Sequence, residues 1–380
     1  MSKKSEKMNT FKGPTFDRLI PYNLLPDLPP NEAILCKEVL LKWGYASRAL
    51  AELNKNMLRI PNPLMLINTL TLQEAQNSTA IENIFTTEDE LYKAISDTVK
   101  EEFANPSTKE VLKYSEALWE GYNTLIKKQT FNKEIAIKIF QKIKQTKQGV
   151  RPPQSQVVIK RGQSEFNAGE IIYTPPRGNG IIETKLNNLF TFLNTENEFD
   201  PLLKMIIAHY QFEAIHPFID GNGRTGRILN LLYLVNQKLL THPVLYLSNY
   251  IIHHKDDYYH YLSGVTHRQA WKPWILYMLV AVETTSKITN QKIDDILLQM
   301  DATYLYASKK LKWYSLELNQ ILFSQPYIKQ KTIGNVIGAK SRTTLTKYVA
   351  QMVSLGILSP HQDGKEVYFI NNDLLKILQE

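Results

Sequence analysis

The amino-acid sequence predicts a mainly α-helical protein, a helical bundle carrying one β-hairpin, followed by a C-terminal winged helix-turn-helix domain. Three observations predict it. Apolar residues recur at helical spacing through most of the chain up to about residue 290. One stretch between Gly149 and Arg177 breaks that period with two β-like runs, "VVIKRG" and "EIIYTPPRGNG", the second closed by Pro175, Pro176, Gly178 and Gly180. Near the C-terminus the order becomes a short helix, a turn at Gly338 to Ser341, a longer helix from Arg342, and two strands around Asp363-Gly364.

Each element has its own signal. "MSKKSEKMNTFKG" is basic but has no apolar segment behind it, so residues 1–20 read as a disordered tail and not as a signal peptide. "YNLLPDLPPNE" is a proline-rich entry, with Asn31 as N-cap for a helix running to about Leu53. "RIPNPL" interrupts, and helical spacing resumes from Leu64 to about Ile84. Further helices are expected at roughly 108–127, 133–146, 183–194, 201–214 and 224–239. An amphipathic stretch from about Lys287 to Lys312 reads as a connector. The expected divisions after the tail are an N-terminal helical region (21–105), a catalytic core (106–290), and the connector with the winged helix (291–380).

Composition excludes several classes. The longest apolar run, Trp274 to Val282, falls short of the ~20 residues of a spanning helix, so no membrane partner is expected. Cys36 is the single cysteine and cannot form an internal disulfide, and no Cys/His cluster has zinc-finger spacing; a reducing cytoplasm is the expected location. The net charge of +8 favours acidic partners or nucleic acid wherever the charge is clustered.

The densest chemistry lies in "HPFIDGNGRTGR", residues 216–227. A helix expected to start there presents unpaired N–H groups and a partial positive charge, a ready anion site. Gly221 and Gly223 let the backbone turn and approach an anion closely. Asn222 tolerates unusual dihedrals and can donate to a phosphate oxygen. Arg224 and Arg227, three apart, can reach the same bound group. Asp220 is the best-placed ligand for the magnesium that accompanies polyphosphate, and His216 is the natural general base. No GxxxxGK[ST] P-loop occurs.

Together these residues resemble the defining Fic motif, HPFx(D/E)GNGRxxR: His216, Pro217, Phe218, Asp220, Gly221, Asn222, Gly223, Arg224 and Arg227 match every specified position. The lead-in "AHYQFEAIHPF", the hairpin ending in "YTPP" and the C-terminal winged helix resemble the family too, over about residues 20–375. The resemblance implies a Fic-type bundle that transfers AMP from ATP to a Tyr, Thr or Ser hydroxyl of a target protein, with the chain itself as another acceptor. His216 would deprotonate the hydroxyl, Asp220 would hold Mg2+, residues 221–224 would stabilise developing charge, Thr225 and Gly226 would belong to the ATP-binding stretch, and Arg227 would grip the γ-phosphate. Tyr258 and Tyr259 resemble the family's nucleotide-lining aromatics, with helix packing as their other reading. His209 and Glu213 lack the second histidine of HExxH and read as support for the loop.

"STAIEN", residues 78–83, resembles the family's inhibitory pattern (S/T)xxxE(G/N), with Ser78, Glu82 and Asn83 at its specified positions. The resemblance implies that Glu82, sharing a helix face with Ser78, pairs with Arg227 and blocks productive ATP binding. Three other functions compete: AMP removal with water aligned by Glu82, a Fic enzyme using another nucleotide or group, and a DNA-binding regulator. Residues 327–350 hold Lys329, Lys331, Lys340, Arg342 and Lys347 and no acid, so residues 327–370 are the candidate DNA contact. The same module could instead recognise a protein or join the chain into a homodimer.

Overall fold

The computed structural model describes residues 16–30, 34–60, 63–96, 104–128, 130–160, 169–338 and 341–380. Most of the expected tail and the Asn31 cap lie outside the described residues. Helix α1 (Lys37–Met57) starts with Cys36 at its N-cap and is followed by α2 (Pro63–Ile81), α3 (Glu88–Ser96), α4 (Pro106–Lys128) and α5 (Lys133–Lys144). The expected hairpin is β1 (Ile159–Lys160) paired antiparallel with β2 (Ile171–Tyr173). Then come α6 (Ile181–Asn194), α7 (Pro201–Ile215), α8 (Asn222–Asn236), α9 (Leu247–His253), α10 (Lys255–Arg268) and α11 (Trp271–Lys310).

The bundle is built around α7 and α8. Every residue of α7 except Pro201 and Glu213 is buried, as is every residue of α8 except Gly223 and Asn236. Helices buried on every side belong in the centre, and their buried polar side chains need partners from the neighbouring elements. Asp200 caps α7, accepting from Leu202 N at 2.8 Å, and Pro201 stands where a missing N–H costs nothing. Trp274 of α11, fully buried, donates its Nε1–H to Ile206 O at 3.0 Å and so pins α11 to α7. Glu213 and Gly223, exceptions to this burial, both face the cleft described below.

The C-terminal part contains α12 (Leu316–Leu322), β3 (Tyr327–Lys329), α13 (Gln330–Ile337), α14 (Arg342–Ser354), β4 (Ser359–Asp363), β5 (Glu366–Ile370) and α15 (Asn372–Gln379). Its antiparallel sheet has the order β3-β5-β4. The two helices and the hairpin expected from the sequence are present, and residues 339–340 of the expected turn lie outside the described residues. The domain rests on α2 and α3: Thr69 Oγ1 donates to Ser324 O (2.6 Å), Gln73 Nε2 to Leu378 O (2.7 Å), and Tyr327 OH to Asp89 Oδ1 (2.8 Å).

Three local expectations differ. The connector does not begin at Lys287: α11 runs unbroken for 40 residues, about 60 Å, through both the apolar run and the division expected at 290–291. Between Pro273, which sits in the tolerated first turn, and Lys310 there is no glycine or proline, so nothing interrupts the helix. Helix α2 ends at Ile81, not Ile84, because Asn83 is left-handed, φ 62. Helices α3, α9, α10, α12 and α15 and strand β3 were not expected, their segments being short or, in α10, interrupted by Gly264 and a run of polar aromatics.

Candidate active site

Helix α7 stops where it does because His216 adopts a left-handed conformation, φ 49, while its N–H still bonds Phe212 O at 3.0 Å. Gly221, φ 76, turns the chain into α8, a conformation that glycine adopts without steric cost. Between them the loop is held from inside. Asn222 Oδ1 accepts from Phe218 N (2.8 Å) and its Nδ2 donates to Phe218 O (2.9 Å), while the Phe218 ring stacks on Phe140 of α5 at 4.2 Å. The first bond inside α8 is Thr225 N to Gly221 O, 3.0 Å, so the three preceding N–H groups have no helical partner.

A cleft of about 190 Å³ opens beside this helix start. His216 and Glu213 come to it from the end of α7, Gly223 and Arg227 from α8, Tyr258 and Tyr259 from α10, and Ile172 and Tyr173 from the hairpin. Glu82 closes one side. The buried Arg227 donates from Nε to Ser78 Oγ (2.7 Å) and from Nη2 to Ser78 O (2.9 Å) and Glu82 Oε1 (2.7 Å). A Cβ on Gly223 would collide with Glu82 Oε1 and approach Arg227 Nη1 to 3.0 Å, so the absence of a side chain there is what lets the carboxylate reach the helix.

Electrostatics divides the site. Burial pushes the His216 imidazole down to about 4, assisted by the Arg151 guanidinium, against a backbone contact of Glu213 and the pull of Glu82 and Asp220, so the ring is neutral at neutral pH. Its Nδ1 is buried without a hydrogen-bond partner among the described residues. Burial pushes Glu213 up to about 8, with Glu82 adding to the rise and Arg227 opposing it. Asp220 behaves oppositely. Partial burial raises it, but Lys144 Nζ at 2.6 Å and the Gly221 N–H at 2.6 Å hold its carboxyl below the usual range. An ionised, outward-facing carboxylate beside a helix start suits magnesium bound mainly by phosphate and water, once Lys144 yields its place. Among the described residues no group of three or more metal-binding side chains gathers anywhere.

Comparison with known proteins bears on this geometry. Residues 125–234 match the Fic/DOC family, residues 40–123 its N-terminal region, and residues 297–374 the C-terminal domain of SoFic-like protein adenylyltransferases. The chain belongs to the Fic/DOC family.

Relatives and neighbours of this Fic chain agree. A probable protein adenylyltransferase of Aquifex aeolicus is 43% identical over 60 residues, 16% of this chain and 19% of its own length. The protein adenylyltransferase Fic of Aedes aegypti is 29% identical over 126 residues, 32% of this chain and 24% of its own length. The matched segments therefore span only a minor part of those relatives. A crystal structure of a Fic family protein from Desulfovibrio desulfuricans shares the fold, with a TM-score of 0.58 at 18% identity, covering 90% of this chain and 98% of that one.

Within the Fic motif, several side chains lie elsewhere than expected. Asn222 is taken up by Phe218 and shapes the loop instead of facing an anion. Arg224 does not share a target with Arg227: Glu110 of α4 draws it away in a part-buried ion pair of 2.6 Å. Thr225 donates to Gly221 O at 2.9 Å inside the helix, and Gly226 packs against Glu213 and Phe212, so neither lines the cleft. Ser78 and Glu82 do meet Arg227 together, but from a helix end and the turn after it, not from one helix face. Tyr258 is buried, with its OH 2.9 Å from His209 Nε2, whereas Tyr259 is 42% exposed; both line the cleft. His209 thus packs behind the site.

Sequence reasoning missed Lys144 on Asp220, Glu110 on Arg224, and Arg151. The last donates from Nε to His216 O (2.8 Å) and from Nη2 to Pro176 O (2.6 Å). The only signal for it was an arginine between Val150 and Pro152, just ahead of the hairpin.

Proposed function

We propose that this Fic chain is a protein adenylyltransferase, moving AMP from ATP to a Tyr, Thr or Ser hydroxyl, and that Glu82 holds it inactive. The observation that carries the reading is one cleft lined by a neutral histidine, a helix start with free N–H groups, and an arginine engaged by a carboxylate. His216 Nε2 takes the proton of the acceptor hydroxyl as its oxygen bonds the α-phosphorus. The bond from that phosphorus to the α,β-bridging oxygen breaks, and pyrophosphate leaves. Catalysis of this kind rests on positioning and charge stabilisation, which the α8 N–H groups supply. Arg227 is the natural clamp for the terminal phosphate. Asp220 would hold magnesium, which when bound neutralises phosphate oxygens. Tyr258 and Tyr259 would flank the base of the nucleotide.

Glu82 opposes this in two ways: it occupies the guanidinium that the phosphate needs and places negative charge where the phosphate would lie. Intact mass after incubation with magnesium and ATP, with and without cell lysate, tests the reading. AMP should appear on the protein or on lysate proteins with Glu82→Gly, much less with the unsubstituted chain, and not at all with Glu82→Gly/His216→Ala. Equal transfer by the first two would remove the inhibitory role of Glu82. Absence of transfer by every form, with release of AMP from a previously modified protein, would favour the reverse reaction.

A second activity is supported by α14, whose exposed face carries Arg342, Thr343, Thr346, Lys347 and Ala350 and no acid. It suits a DNA backbone or an acidic protein surface.

A further inference from the structure

We infer that Arg151 is a positioning residue that holds the backbone of His216 and the hairpin in one fixed relation. The inference rests on His216 acting as the base. Arg151 is 2% exposed, and its guanidinium faces no carboxylate within ion-pair distance among the described residues. A cation is costly to bury in that way, so its bonds must account for its presence. All go to main-chain carbonyls. Nε donates to His216 O at 2.8 Å, and Nη2 donates to Pro176 O at 2.6 Å and to Ile215 O at a long 3.4 Å. Its own backbone N–H donates to Pro217 O at 2.9 Å.

These bonds answer a specific structural difficulty. The residue after the last turn of a helix is commonly a left-handed glycine. Here the chemistry requires an imidazole at that place, so an L-residue sits at φ 49 and must be held there from outside. Carbonyls at the end of α7 also lack helical partners, and a cation beside a helix C-terminus is favourable. Arg151 meets both needs with one planar fork.

The bond to Pro176 O adds a second function. The trailing end of the hairpin is tied to the same guanidinium, and Tyr173 OH donates to Ala214 O (2.8 Å), two residues before His216. The wall of the cleft formed by Ile172 and Tyr173 is thereby fixed relative to the base. A target hydroxyl aligned along the hairpin would then meet His216 at a set distance. Misplacement of reacting groups by about 1 Å can cost on the order of 10²-fold in rate.

Lysine cannot reproduce the fork, and methionine removes the charge as well. The test places Arg151→Lys and Arg151→Met in the Glu82→Gly protein and compares kcat, KM for ATP and calorimetric ATP affinity. The expected result is a loss of kcat approaching 10²-fold for Met and a smaller loss for Lys. KM and affinity for ATP should stay within about twofold. Unchanged kcat in a folded variant, or a loss of ATP binding equal to the loss of kcat, would overturn the inference. Should Arg151→Met fail to fold, Arg151→Lys decides by the same criteria.

If the Glu82→Gly parent transfers no AMP, the enzymatic reading fails and Arg151 is judged separately by NMR of histidine-labelled protein, assigned with His216→Ala. One sharp His216 ring signal that broadens or splits in Arg151→Lys supports positioning. An identical signal in both refutes it.

Discussion

In the proposed reading Glu82 and His216 set the chemistry at the scale of single residues, and burial governs their neighbours and charge. Arg227 has almost no contact with water, so the three hydrogen bonds it makes to Ser78 and Glu82 replace the solvation that burial removes. A phosphate can take over from Glu82 only by supplying the same charge in the same place. His216 is tuned by the same burial. A base works when it is neutral, and a ring held near 4 is neutral through the whole physiological range. The acid limb of kcat/KM, which reports the free enzyme, is therefore expected at or below about pH 4 in the Glu82→Gly form, because that substitution also removes a carboxylate that favours the charged ring. Activity should be flat from neutrality to about pH 5 and decline below it, whereas a midpoint near the ordinary histidine value of ~6.5 would contradict the burial argument.

At the scale of elements, the proposed inhibition would depend on how one helix ends. Asn83 N–H bonds Ala80 O at 2.9 Å and Ile84 N–H bonds Thr79 O at 3.1 Å, the paired bonds of a Schellman turn with Asn83 in its left-handed position. Glycine and asparagine are the residues that accept this position readily, which gives the last place of the pattern a physical meaning. Lys255 Nζ adds a bond to Asn83 Oδ1 at 3.1 Å. The turn aims Glu82 at Arg227. Asn83→Val should strain it by about 1–2 kcal/mol and raise basal AMP transfer toward the Glu82→Gly level, whereas Asn83→Gly should remain inhibited. Equal, low activity of both beside an active Glu82→Gly control would show that the turn does not govern the glutamate.

Across the whole molecule, α2 is shared between two neighbours. Its residue Gln73 and Lys292 of α11 both donate to Leu378 O, at 2.7 and 2.6 Å, so the element that carries Ser78 is also the floor on which α15 rests. The C-terminal domain nevertheless leaves the basic face of α14 open to solvent. If that face meets DNA, affinity for a duplex should fall steeply with salt. Arg342→Glu/Lys347→Glu should then weaken binding and flatten the slope of log K against log salt by about 0.9 for each phosphate that is no longer neutralised. Binding that is absent at low salt, or indifferent to both substitutions, would turn attention to an acidic protein partner.

Much of this protein was legible in sequence because its signals are local. Apolar spacing located most of the long helices, though only the later part of α11, proline and glycine located the hairpin's end, and twelve consecutive residues announced the loop between α7 and α8. Such signals act over one or two turns of chain, within the range of a hydrogen bond or a side-chain repeat. They state which face of an element is buried, not what covers it. The partners of Arg224, Arg227 and Arg151 lie 114, 145 and 65 residues away in sequence, and no periodicity announces pairings at that range. Tertiary structure alone decided that Asn222 serves the loop, that the two motif arginines diverge, and that His216 stays neutral, because each follows from desolvation and from neighbours that only the folded chain brings together.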